Sequence, residues 1–195
     1  MTSTITSITS GKFYHIYNRG NNRENIFFQE RNYGYFLTLW WKHISPIAET
    51  WAYSLMRNHF HAVVYIKNEA EDLTGLSEKI KEPSQYFSNF FNAYARGVNI
   101  AMQRTGALFE RPFKRIQVGS TSYLLRLIVY VHQNPQKHQF TDDFRMWNYS
   151  SYHELTGAVS THLQRERTMQ LFGNQEDFVR IHQEMQPLQN VEDHN

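Results

Sequence analysis

The chain has 195 residues, 41% of them hydrophobic and 19% charged, which suits one domain with a real core and excludes a disordered charged tail. It has no cysteine, so disulfide scaffolds, thiolate zinc sites and cysteine nucleophiles are excluded. No apolar run approaches the ~18 residues of a membrane span, and the Thr/Ser-rich start lacks the basic and apolar regions of a signal peptide. A cytoplasmic protein is expected.

Residues 12–18 alternate and are rich in aromatics, which predicts a first strand, followed by a Gly/Asn/Arg turn over 19–25. Tyr35, Phe36, Leu39, Trp40 and Ile44 recur at helical spacing, predicting a helix over 31–44 that ends before Pro46. Residues 47–56 and 59–66 read as two strands joined at Arg57-Asn58, a gap of hairpin size. The polar stretch 68–82 reads as a loop or short helix. A long helix is predicted over 83–103, with Pro83 in its first turn and Phe87, Phe90, Phe91, Tyr94, Val98 and Ala101 on its inner face. A turn over 106–112 and a short strand over 113–118 follow. The next helix is capped within 120–122 and expected to stop at Asn134, before Pro135.

This β-α-β-β-α-β-α order predicts an α+β fold, a ferredoxin-like or RRM-like antiparallel sheet with its long helices on one face. Residues 11–157 would form the main domain and 158–195 a small helical tail broken at Gly173. The first ten residues are expected to be disordered.

The net charge of +2 averages unlike parts. Residues 170–195 carry five acids against Arg180 alone, a net −4, which leaves +6 for residues 1–169. From Arg96 to Arg115, five bases face only Glu110, with Phe109 and Phe113 between them. Bases interleaved with aromatics suit phosphate contact and base stacking, although a solvated helix face is the ordinary alternative. An acidic tail that competes with DNA for this basic face is a further expectation.

His59-Phe60-His61 places two imidazoles at i and i+2, on one face of a strand and fit to ligate one cation. Composition alone gives ~0.5 such pairs by chance, so the pair carries little by itself. Tyr130 and Asn134, at i and i+4, share one face of the last long helix. A phenol near a metal can act as a nucleophile and an amide oxygen as a hard ligand. The plain alternative is a packed Tyr and an Asn that ends the helix.

Together these features resemble the HUH single-tyrosine transposases, in the branch of REP-associated tyrosine transposases. Six ordered blocks carry the resemblance. Tyr14-His15-Ile16-Tyr17-Asn18-Arg19-Gly20-Asn21-Asn22-Arg23, with Ile26-Phe27-Phe28 after it, opens it, followed by Ala52-Tyr53-Ser54-Leu55-Met56-Arg57-Asn58-His59-Phe60-His61, with Arg57 where the family usually has Pro. Leu108-Phe109-Glu110-Arg111-Pro112-Phe113-Lys114 and Tyr123-Leu124-Leu125 come next. Tyr130-Val131-His132-Gln133-Asn134-Pro135 and Trp147-Asn148-Tyr149-Ser150-Ser151-Tyr152 complete it.

The resemblance implies the HUH endonuclease fold and cleavage and rejoining of single-stranded DNA at a palindromic hairpin. It implies that His59 and His61 bind a divalent metal, Mg²⁺ or Mn²⁺, with Asn134 as third ligand where relatives have Gln or Asn. Tyr130 matches the nucleophile that forms a 5′-phosphotyrosine. His132 and Gln133 are alternative polar ligands, with His132 about 200° around the helix from Tyr130. His15 could neighbour the site, although a core or surface position is the more ordinary expectation. Arg19, Arg23, Arg104, Arg111, Lys114 and Arg115 are the candidate DNA contacts. Relatives with a comparable tail act as monomers, shorter ones as dimers with the tyrosine donated in trans. Two rival readings stand beside this one: a non-catalytic hairpin DNA- or RNA-binding module of the same fold, and a phosphodiesterase that uses water.

Overall fold

The structure, a computed structural model, describes residues 6–68 and 82–186. Strands β1 (Phe13–Arg19), β2 (Ala48–Met56), β3 (His59–Ile66) and β4 (Lys114–Gln117) form one sheet in the order β2-β3-β1-β4. Every neighbouring pair is antiparallel. The two-residue connection Arg57-Asn58 makes β2 and β3 neighbours, and β1 inserts between β3 and β4. The α+β antiparallel sheet expected from the element order is what forms.

Strand alternation gives the sheet two different faces. Tyr14 and Ile16 pair with Val64 and Ala62, and with Phe60 they make one face that is buried throughout. Two of the three long helices, α1 (Arg31–Ile44) and α2 (Pro83–Ala101), pack over it, on one face as the element order predicts. Phe36 meets Phe60 and Phe90 edge-on at 5.0 and 4.8 Å, and Trp40 meets Phe90 at 5.2 Å. Each such ring, taken from water to a dry core, contributes roughly 1.5–3 kcal/mol.

The third long helix, α3 (Thr121–Lys137), packs against the opposite face, over β2 and β3. Ser120 caps it by accepting from the Tyr123 N–H at 3.2 Å. The helix does not stop at Pro135 as expected. It runs on to Lys137, and the His138 N–H closes the last turn on the Asn134 carbonyl at 3.0 Å. Proline removes one backbone donor and disfavours helix in the residue before it. Here Val131, Asn134 and Pro135 are all buried against the body of the protein, and that packing keeps the backbone helical through the proline.

The tail is helical and broken at Gly173, as expected. After α4 (Tyr152–Thr156) come α5 (Arg165–Phe172) and α6 (Gln175–Glu184). Gly173 takes φ 103°, a conformation open to glycine, and Asn174 caps α6 by accepting from the Asp177 N–H. Leu163, Phe172 and Phe178 are buried in the same core as Tyr152 and α3. Of the ten N-terminal residues expected to be disordered, 1–5 lie outside the described residues. Among the rest, Ile8 is buried and the exposed Thr9 is held by its N–H donating to the Tyr14 hydroxyl. Most of the polar stretch 68–82 also lies outside the described residues.

Candidate active site

The face of the sheet away from α1 and α2 carries His59 and His61 on β3, with Tyr17 opposite His61 and Arg19 opposite His59 on β1. Phe60 points the other way into the dry core, which locks the strand between the two imidazoles. The rings of His59 and His61 are 5.4 Å apart and nearly perpendicular. Tyr130 and Asn134 descend onto this face from α3 and are both fully buried. The Tyr130 ring meets His61 edge-on at 5.7 Å and His15 at 6.2 Å. Asn134 Oδ1 stands 3.2 Å from His59 Nε2. Strand spacing and helical spacing thus bring the four expected residues to one place within a single chain.

The hydrogen bonds bear on whether a cation fits. His59 Nδ1 is 2.7 Å from Asn58 Oδ1, so both ring nitrogens of His59 face amide oxygens. A neutral imidazole has one proton to give. Donated to Asn58, it leaves the Nε2 lone pair turned to the Asn134 amide, which either a cation held by both residues or the amide turned to donate from Nδ2 would satisfy. Two ligands each about 2.1 Å from an octahedral ion stand about 3 Å apart, close to the gap observed. Asn134 Nδ2 is buried without a hydrogen-bond partner among the described residues, so the amide is held by what its oxygen meets. His61 Nδ1 is 2.9 Å from His15 Nε2, so ligation by His61 would fall to Nε2. In both histidines a neighbour engages Nδ1 and orients the ring, the usual role of a second-layer partner in a metal site. Among the described residues no group of three His, Asp or Glu side chains stands together for a metal, so such a site needs the amide.

No protein-family model matches the chain, and no curated protein matches it in sequence. Among solved structures, it is similar to a REP-associated tyrosine transposase bound to a REP hairpin, at a TM-score of 0.60 and 13% identity, over 83% of this chain and 94% of that one. What the two share is the fold.

The two faces of the sheet divide the candidate DNA contacts. Arg19 and Lys114 line a small cleft with Tyr17, His59, His61 and Glu110. Arg111 and Arg115 line a separate groove between α2 and residues 106–113, with Phe91, Phe109 and Phe113. Arg115 is opposite Ile16 in the sheet, hence on the face away from the histidines, with its guanidinium 4.6 Å over the Phe113 ring. Arg104 is paired with Glu24 and Asn99. Arg23 is exposed on the short turn Asn21–Arg23. The bases are thus spread over two neighbouring hollows that share Asn18 and Glu110, and over the turns beside them. Of the five tail acids, Asp177 and Glu184 pair with Arg180, Glu176 stands in the first turn of α6, and Glu192 and Asp193 lie outside the described residues.

His132 and Gln133 lie outside the site. His132 is buried against α6, and Gln133 donates to the His182 and Met185 carbonyls at 2.8 and 3.0 Å. Burial, and then the neighbouring His182, push the His132 pKa well below the usual imidazole range. His15 is a site residue after all, buried between Tyr17, His61 and Tyr130. Four further neighbours escaped the sequence reading. Tyr17 is stacked on His15 and His61, Asn58 orients His59, Lys137 stands with Nζ 5.1 Å over the Tyr130 ring, and the His138 ring is 4.9 Å from that of His59. Lys137 and His138 reach the site because the helix passes Pro135, which sets 130, 134 and 138 on one stripe at i, i+4 and i+8.

Proposed function

We propose that this chain is a single-tyrosine transposase of the REP-associated type, which recognises hairpin DNA and cuts and rejoins single-stranded DNA through Tyr130. The observation that carries the reading is the meeting of Tyr130 and Asn134 with His59 and His61 on the sheet face left uncovered by α1 and α2. The fold likeness to a hairpin-bound transposase supports it. A binding module that never cut DNA would have no need to gather a phenol, two imidazoles and an amide in one buried place.

His59, His61 and Asn134 would hold a divalent ion, Mg²⁺ or Mn²⁺. Bound there, the ion would withdraw charge from the scissile phosphate. The chain's own groups do the rest. Tyr130 Oη gives up its proton as it attacks phosphorus, the Oη–P bond forms as the P–O3′ bond breaks, and the departing O3′ takes up a proton to leave as a free 3′-OH. The 5′-phosphotyrosine retains the phosphodiester's energy, so a second 3′-OH can take the phosphoryl group in place of water. Asn58 and His15 hold the two imidazoles in orientation, and Arg19 and Lys114 offer positive charge at the cleft mouth. Because Tyr130 meets the histidines of its own chain, the geometry favours a monomer acting in cis.

The test is incubation with labelled hairpin DNA and Mn²⁺, followed by a search for an adduct that survives denaturation. The expected result is an adduct with the wild type and none with Tyr130→Phe, with hairpin affinity unchanged. A Tyr130→Phe adduct would remove Tyr130 as nucleophile. Hairpin binding without any adduct would favour the module reading, and cleavage without an adduct the water-using phosphodiesterase.

A further inference from the structure

The sequence between the proposed nucleophile and third ligand, His132-Gln133, faces neither of them. Both side chains reach into α6 of the tail, which the proposed chemistry leaves without a role. His182 Nδ1 lies 2.7 Å from the Phe178 carbonyl, His182 Nε2 lies 2.8 Å from His132 Nδ1, and His132 Nε2 lies 2.8 Å from Ser151 Oγ. Ser151 Oγ in turn accepts from the Tyr53 N–H of β2 at 2.8 Å. His132, Ser151 and His182 are all fully buried.

The direction of this chain of bonds follows from its ends. A carbonyl only accepts, so the proton of His182 sits on Nδ1 and its Nε2 accepts. His132 must then donate from Nδ1 and accept at Nε2, and the Ser151 hydroxyl, which also stands 3.2 Å from the Tyr53 carbonyl, turns its one proton to His132 at 2.8 Å. The opposite direction would leave His182 Nδ1 and the Phe178 carbonyl as two acceptors 2.7 Å apart. Each imidazole thus has one permitted tautomer and one permitted ring orientation. Gln133 adds two donations to the last carbonyls of α6, groups that a helix end leaves without partners of its own.

We propose that His182 is a positioning residue: by accepting from His132 it fixes the rotation of α3 about its own axis, and with it the placement of Tyr130 and Asn134 over His59 and His61. This rests on the transposase reading for its consequence and on the hydrogen-bond chain for its geometry. The lever is long. A side-chain tip lies about 6 Å from the axis of its helix, so a rotation of about 10° moves it about 1 Å. Misplacement of a reacting group by about 1 Å can cost about a hundredfold in rate.

Two conservative variants of the full chain separate positioning from stability. His182→Asn keeps a donor for the Phe178 carbonyl but is too short to meet His132. His182→Gln places an amide oxygen where Nε2 stands. Leu163→Ala, buried in the tail and away from the bond chain, serves as the control for tail destabilisation. Two quantities are read: the rate of adduct formation at saturating hairpin DNA beside hairpin affinity, and the imidazole ¹⁵N signals of His59 and His61. The expected result for His182→Asn is a rate about tenfold lower or more, with affinity within about twofold and shifted His59 and His61 signals. His182→Gln should recover to within about threefold, and Leu163→Ala should leave rate and signals in place. The proposal is overturned if Leu163→Ala slows the reaction as much as His182→Asn, or if the His59 and His61 signals do not move in His182→Asn. Should the wild type form no adduct, the transposase reading fails, and the imidazole signals decide the positioning claim alone.

Discussion

Acid should loosen the seam between α3 and α6 before it reaches the carboxylates. Burial pushes the His182 pKa down to about 4, against an ordinary 6.5, and the hydrogen bond to the Phe178 carbonyl opposes only part of that shift. The unfolded chain takes up this proton near pH 6.5 and the folded chain only near pH 4. Between those values the unfolded state binds more protons, so stability falls as the pH falls. The whole interval corresponds to about 3 kcal/mol, of which about 2 kcal/mol is lost between pH 7 and pH 5. His132, also driven well down by burial, acts with the same sign. Urea unfolding followed by tryptophan fluorescence at pH 7, 6 and 5 measures the effect when the wild type is compared with His182→Gln, because other titrations largely cancel in the difference. The wild type should lose about 2 kcal/mol more than the variant over this range. Curves that stay parallel to within about 0.5 kcal/mol would refute the reasoning.

Phe60→Ala removes a fully buried ring from between Phe36 and Trp40, and should cost about 3–5 kcal/mol in chemical denaturation. Asn134→Leu deletes the oxygen 3.2 Å from His59 Nε2, and calorimetry should then find Mn²⁺ bound at least about tenfold more weakly. Arg19→Ala and Lys114→Ala, at the cleft beside the histidines, should each lower the slope of log affinity against log salt by about one for hairpin DNA. Arg104→Ala, outside that cleft and beside Glu24, should leave that slope unchanged in fluorescence anisotropy.

The sheet was legible because its strands alternate, because two residues join β2 to β3, and because the apolar stripes of α1 and α2 keep a helical period. The His59/His61 pair could be read as sharing a face from strand period alone. What could not be read were facts of register and distance. That His15 lies at the site depends on β1 being opposite β3 with Tyr17 on His61, a register no local pattern states. The partner of His132 is fifty positions further on, in a tail whose composition suggests only a solvated helix. Lys137 and His138 were hidden by a sound local rule applied where burial overrode it: proline does discourage helix before it, but Pro135 is packed in the core.

The spacing of the Tyr130–Asn134 segment acquires a second meaning from this arrangement. Residues four apart share a helix face, so Tyr130 and Asn134 can serve one site. The positions between them necessarily face elsewhere, and a buried helix must find them partners or lose stability to unsatisfied polar groups. His132 and Gln133 find theirs in α6, so the same five residues that would present the nucleophile also bind the tail. A tail docked through those positions cannot shift without carrying α3 with it. Tail and site are thereby one mechanical unit, and the boundary expected at residue 157 divides the sequence more cleanly than it divides the packing.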